Sequence, residues 1–164
     1  PEVLREAIGS GLCDVAMFAV GPFVDPRYVD EVLPLAKARG VGSVCFKAFG
    51  AGKLLGDTEG YQRPLAPGQL RPRGKVSSGG EAAGEAVLPR LTVEDCLHYT
   101  LTVDPDVALL GLSFPNEQDA AFAAYRSFLQ RGPLPPEAMA DIRARAAEAI
   151  RGKGRVWWNP PETD

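Results

Sequence analysis

Three short runs in this chain carry almost no polar side chains: DVAMFAV at 14–20, VGSVCFKA at 41–48 and VALLGL at 107–112. A strand that is apolar at nearly every position has no face to give to water. It belongs in a parallel sheet buried on both sides, not in a half-exposed antiparallel one. Parallel neighbours also need a long crossover between them, usually a helix. These runs therefore restrict the chain to an α/β architecture and predict helices between them.

The intervening segments supply those helices. Val3, Leu4, Ala7 and Ile8 recur at helical spacing, and Gly9 and Gly11 end the pattern. A second helix is predicted over 28–39, with Val29, Val32, Leu33 and Ala36 on one face. Pro34 must lie in its first turn or kink it, and Gly40 closes it. Thr92 with Asp95 reads as a near capping box before a stripe of Val93, Cys96, Leu97 and Leu101. Asn116 is expected to cap a helix over 117–130, with Ala120, Phe122 (or Ala121), Ala124 and Phe128 along it. A last, alanine-rich helix is expected over 135–150.

Regular alternation of this kind means parallel βα units. Three strands alone leave two bare sheet edges, but three units at this spacing fit the closing portion of an eight-stranded (βα)8 TIM-type barrel. The fold class is thus α/β, a partial barrel with an additional C-terminal helix. Residues 1–164 form one unit, with a long glycine- and proline-rich lid loop at 56–90 and a tail at 152–164. Pro1-Glu2-Val3 reads as a first helical turn without its cap, so the chain is expected to be a piece of something longer.

Charge and cysteines exclude several classes. The net charge of −3 has both signs interspersed, so no basic face offers itself to nucleic acid. No apolar run approaches the ~20 residues that cross a bilayer, and the N-terminus has no signal-peptide core. Cys13, Cys45 and Cys96 form no CxxC pair, which argues against a metal site and for reduced thiols in a cytoplasmic protein.

Two strand-end segments carry the candidate chemistry. The first is GVGSVCFKAFGAGKLL at 40–55, where Gly50 and Gly52 follow a strand and precede Lys53. Glycines here let backbone N–H groups approach a phosphate, or simply allow a tight turn. A P-loop would need glycine at 47 and Ser or Thr at 54; Lys47 and Leu54 stand there instead, which disfavours phosphotransfer. The second is GLSFPNEQDAA at 111–121, where Gly111 and Ser113 end a strand and a helix N-terminus offers free N–H groups to an anion. Helix capping alone accounts for Ser113 and Asn116 equally well.

The series CDVAMFAVGPF, VLPLAKARGVGSVCFKAFGAGKLL and TVEDCLHYTLTVDPDVALLGLSFPNEQDAAF, from Pro1 to about Phe128, resembles the C-terminal half of aldo/keto reductases. These are βα barrels that move a hydride between NAD(P)H and a carbonyl carbon. The resemblance implies that the three strands are the sixth to eighth of the barrel. It implies that Phe46 stands where an aromatic stacks on the nicotinamide, and that Phe49, Gly50 and Gly52 form the turn whose backbone holds the pyrophosphate, with Lys53 adding charge. Gly111, Ser113 and Gln118 fall in the segment that meets the adenosine phosphate. Leu112 and Gln118 stand where many NADP-specific members have lysine and arginine, so the implied cofactor is NADP or NAD. Met17 stands where many members hold the carboxamide with glutamine, and Ala121 and Phe122 fall near a Glu-Asn pair common in the family.

The family protonates the carbonyl oxygen with a tyrosine tuned by a lysine, beside an aspartate and a histidine, all from the first half of the barrel. None of Tyr28, Tyr61, Tyr99, Tyr125 or His98 matches that motif. His98 reads as a helix surface or packing residue. The segment is therefore expected to be inactive alone. Its implied partners are a small carbonyl substrate and the N-terminal half of the same barrel. Arg63, Arg71, Arg73 and Lys75 lie in the lid and either close over cofactor phosphates or are simply solvated. Trp157 and Trp158 pack on the barrel or line the pocket. A non-catalytic barrel that binds nicotinamide as a ligand or redox sensor remains the alternative.

Overall fold

A computed structural model of the chain describes residues 1–56, 58–60, 63–64, 90–112, 115–153, 156 and 158. Three parallel strands, β1 (Val15–Ala19), β2 (Gly42–Phe46) and β5 (Val107–Ala108), form a sheet in the order β1-β2-β5. Val15 pairs with Gly42 and Ala19 with Phe46, while Val44 pairs with Val107. At the opposite end of β2, Ser43 Oγ donates to Asp106 Oδ2 at 2.7 Å and Asp106 N–H donates back to Ser43 Oγ at 2.9 Å. That exchange pins the start of β5 to β2.

Helix α1 (Glu2–Gly9) precedes β1, and α2 (Leu33–Ala38) precedes β2. The helix expected over 28–39 opens as a π-helical turn, Tyr28–Val32, in which Leu33 N–H reaches back to Tyr28 O. Pro34 sits in the first turn of α2. It has no N–H to give the preceding turn, so the wider winding is accommodated where proline removes a bond. Helix α3 (Val93–Val103) starts at Thr92 with a complete capping box: Asp95 N–H donates to Thr92 Oγ1, and Thr92 N–H to Asp95 Oδ2, each at 3.0 Å. Helix α4 (Pro115–Arg131) begins at Pro115, so Asn116 lies inside the first turn and is not the cap expected of it. Proline suits that position because its missing N–H would have no helical partner. Helix α5 (Pro136–Ile150) agrees with the expected 135–150.

The 56–90 stretch is not wholly irregular. Thr58–Gly60 (β3) and Arg63–Pro64 (β4) pair antiparallel.

Three hydrophobic clusters hold the described elements together. Ile8, Phe18, Val20, Val32, Leu33 and Cys45 join α1 and α2 to one face of the sheet. Phe49, Leu54, Cys96, Tyr99, Ala146 and Ile150 join α3 and α5 to the loop after β2. Leu97, Ala121 and Ala124 seat α4 on α3.

The other face of the sheet corrects the expectation of strands buried on both sides. In β1 exposure alternates: Ala16 and Phe18 are buried, but Val15 and Met17 are each 58 % exposed. Val107 and Leu109 are each 44 % exposed. The helices cover one face; on the other, Val15, Met17, Val107 and Leu109 are open, while Ala19 at the end of β1 is buried and Phe46 beside it half-buried. The third strand is also shorter than the expected 107–112. After Leu109 N–H donates to Cys45 O at 2.7 Å, the ladder ends and Gly111 turns with φ 62°.

Candidate functional site

Because the strands are parallel, the loops after β1, β2 and β5 gather at one end of the sheet. The loop after β1 approaches the loop after β2 closely at Gly21, where Val20 N–H donates to Phe46 O at 2.8 Å. A Cβ on Gly21 would fall 2.6 Å from Lys47 O. Only glycine permits that approach. The sequence shows Gly21 merely as the end of a strand; the contact depends on where the next strand finishes.

Phe46 is the last residue of β2 and is half-buried. Its register with Ala19, and that of Val44 with Met17, puts Phe46 and Met17 on the open face. An aromatic ring thus stands at the end of that face and a thioether at its middle.

The glycine turn follows. Lys47 has φ 73°, and the one-turn 3-10 segment Gly50–Gly52 has three consecutive positive φ values: 55° at Gly50, 55° at Ala51 and 86° at Gly52. Such left-handed runs are costly for non-glycine residues and cluster at ligand-binding turns. Gly50 N–H donates to Lys47 O and Gly52 N–H to Phe49 O, both at 2.9 Å, so the turn closes on itself. Phe49 is buried among Leu54 and Ile150 and offers a ligand only its backbone.

Lys53 does not point outward. It is 5 % exposed, and its ammonium donates to Lys153 O at 2.6 Å. Lys153, fully buried, donates from Nζ to Lys53 O at 2.9 Å. Beyond it, Trp158 Nε1 donates to Phe23 O at 3.1 Å in the loop after β1, and Lys47 Nζ lies 4.5 Å from the Trp158 ring centre. Lys153 and Trp158 of the tail thus pack against the loops after β2 and β1. Trp157 lies outside the described residues.

After β5, Gly111 is exposed and Gln118 Nε2 donates to Leu112 O at 3.2 Å. Gln118 is exposed on the first turns of α4, while Glu117 beside it is buried. Ala121 is buried against α3 and Phe122 is exposed. Ser113, Tyr61, Arg71, Arg73 and Lys75 lie outside the described residues, as does the side chain of Arg63.

Among the described residues, the ionisable aromatics lie on helices. His98 is buried in α3, with Nε2 2.8 Å from Ala124 O and its ring edge-on to Phe128 at 5.6 Å. Of the two readings of His98, surface or packing, the structure gives packing. Tyr99 is buried in the same helix, and burial raises its pKa. Tyr28 lies in the π turn and Tyr125 on the outer side of α4. Two of the thiols are inert by environment: burial pushes Cys45 up to about 12 and raises Cys96 as well.

No family model matches the chain, and no curated protein does. Solved structures do. The apo and holo forms of aldo-keto reductase AKR11C1 from Bacillus halodurans superpose with TM-scores of 0.52, at 20 % and 21 % identity. Both matches cover 88 % of this chain. The fold is that of part of an aldo-keto reductase α/β barrel. The chain spans about half the length of the structures it matches, 47 % and 46 % of the two. A half-barrel accounts for a sheet covered by helices on one face and open on the other. Among the described residues, no helix is long and apolar enough to cross a membrane, and no cluster of His, Cys, Asp or Glu could hold a metal ion.

Proposed function

We propose that this chain is the cofactor-binding half of an NAD(P)-dependent oxidoreductase of the aldo/keto reductase type. The observation that carries the reading is the coincidence, at one end of the sheet, of an aromatic on the open face and a left-handed glycine turn on the same strand. Phe46 offers a ring face to a nicotinamide. The Gly50–Gly52 turn offers its backbone to the pyrophosphate, and Gly111 and Gln118 face the adenosine end, to which the family resemblance also assigns Ser113. When bound, nicotinamide supplies a hydride to the carbonyl carbon of a small aldehyde or ketone. The proton for the carbonyl oxygen comes from a tyrosine in the other half of the barrel. Lys53 acts on the turn through its contact with Lys153, instead of by direct charge on the phosphate. The exposed apolar face of the sheet suits docking of that other half.

Titrating the full-length protein with NADPH and NADH, followed by tryptophan fluorescence, tests this. Saturable binding of either is expected. Phe46→Ala should weaken it about three- to tenfold, the loss of one aromatic stack. Protection by magnesium-ATP in a thermal melt, with no shift from either nicotinamide, would sink the reading and restore a phosphotransfer enzyme. A nicotinamide-binding barrel without turnover is the second reading, kept open by Met17, Gln118 and Phe122, which depart from the residues the family uses toward the cofactor. Binding without carbonyl reduction in the full-length protein would select it.

A further inference from the structure

The two buried lysines are the least expected feature of the molecule. Lysine is almost never fully buried unless paired, and taking an ammonium out of water is costly. Here each ammonium donates to the main-chain carbonyl of the other residue, Lys53 to Lys153 O and Lys153 to Lys53 O. Both carbonyls lie where a helical turn ends. Lys53 is the C-terminal cap of the Gly50–Gly52 turn, and Lys153 follows α5, donating its own N–H to Ile150 O at 3.0 Å. Helix ends leave unpaired carbonyls and partial negative charge, which a cation satisfies. The pair is thus a reciprocal clamp across 100 residues of sequence.

We infer that Lys153 is a positioning residue for the turn after β2, acting through Lys53 O. The strain in that turn explains why a clamp is needed. Gly50 and Gly52 adopt the left-handed region freely, but Ala51 between them, at φ 55°, does not, and an adjoining tie, Leu91 N–H to Leu54 O at 2.8 Å, holds only the far end of the turn. A methionine at 153 would fill a similar volume but would leave Lys53 O without its ammonium donor. Helix α5, appended after the βα units, becomes the anchor of the turn. The relevance to cofactor rests on the function proposed above; the clamp itself does not.

The test is amide hydrogen exchange on the full-length protein without cofactor. Lys153→Met keeps the volume and removes the donor. Exchange at Lys53, Leu54 and Leu55 should quicken about tenfold or more, with Gly42–Phe46 of β2 unchanged. Lys53→Met should give the same increase, the double variant no more than either, and Lys153→Arg should restore protection. Unchanged turn amides, or an equal rise in β2, overturns the clamp. Should both methionine variants fail to fold, a lysine-Nζ nitrogen–proton spectrum of the unaltered protein decides. Two protected ammonium groups support the clamp, and rapid exchange at every lysine refutes it. NADPH titration is the separate arm: weaker binding by Lys153→Met ties the clamp to the cofactor. An unaltered protein that ignores NADPH removes the cofactor reading and leaves the exchange result standing.

Discussion

At Gly21 a missing methyl group lets two loops meet. The group a Cβ would strike, Lys47 O at 2.6 Å, belongs to the main chain, with Ala48 Cα a further obstacle at 3.1 Å. A backbone cannot rotate aside as a side-chain tip can. Gly21→Ala is therefore expected to cost about 1–3 kcal/mol, the usual penalty of overpacking, read as a lower midpoint in urea. Unchanged stability would mean the loops separate readily. Gly50 is a milder obstacle, since its Cβ would meet Leu54 Cγ at 2.9 Å, but its φ of 55° adds backbone strain to the contact. In the sequence Gly21 reads only as the end of a strand, and Gly50 reads as part of a tight turn without the contact that would block a Cβ. What makes them glycines is the position of partners tens of residues away or the sign of a dihedral angle.

Helix α3 is held at its start by side chains that serve two elements. Asp95 closes the capping box with Thr92 and also receives Arg145 of α5, at 2.9 Å to Oδ1 and 3.0 Å to Oδ2. Burial alone would raise the Asp95 pKa, but the bonds from Arg145 and Thr92 outweigh it and hold it below the ordinary value. A lowered folded pKa contributes stability above the unfolded value and loses it as pH falls through the folded one. Asp95→Asn should cost about 1 kcal/mol at pH 7, given a cap and a partly exposed ion pair. The gap to the unaltered protein should narrow as pH falls from about 5 toward 3. An equal gap at both ends of that range would rule out the carboxylate as the source. The box was legible because its two members lie three residues apart. Local patterns of that kind (the α1, α3 and α5 stripes, the strand runs) are what a sequence displays. The π turn before Pro34 and the early ending of β5 were not legible, since each depends on how a local defect is resolved in three dimensions. The candidate site divides the same way. The glycine turn stood out by its place after a strand and Phe46 only through the family resemblance, while Lys153 was hidden because its partner is distant and its neighbours look like a polar tail.

For the molecule as a whole, the open sheet face decides behaviour outside its full context. Val15, Met17, Val107 and Leu109 expose apolar surface on it. On α4, Phe122, Tyr125 and Leu129 recur at helical spacing and remain exposed beside the seam with α3. Large exposed apolar patches mark interaction surfaces, and strand edges without partners recruit other strands. Residues 1–164 produced alone should therefore self-associate, with a weight-average mass in sedimentation that climbs with concentration. Met17→Lys combined with Leu109→Lys should reduce the association, because each places an ammonium where an apolar contact would form. Both positions lie away from the buried clusters, so the double change should leave helical content by circular dichroism intact. A monodisperse monomer that melts cooperatively would contradict the expectation. It would mean that the helix-covered core suffices without anything on the open face. Association unaffected by the two lysines would instead move the contact to the α4 stripe, where Phe122→Lys and Leu129→Lys are the corresponding changes.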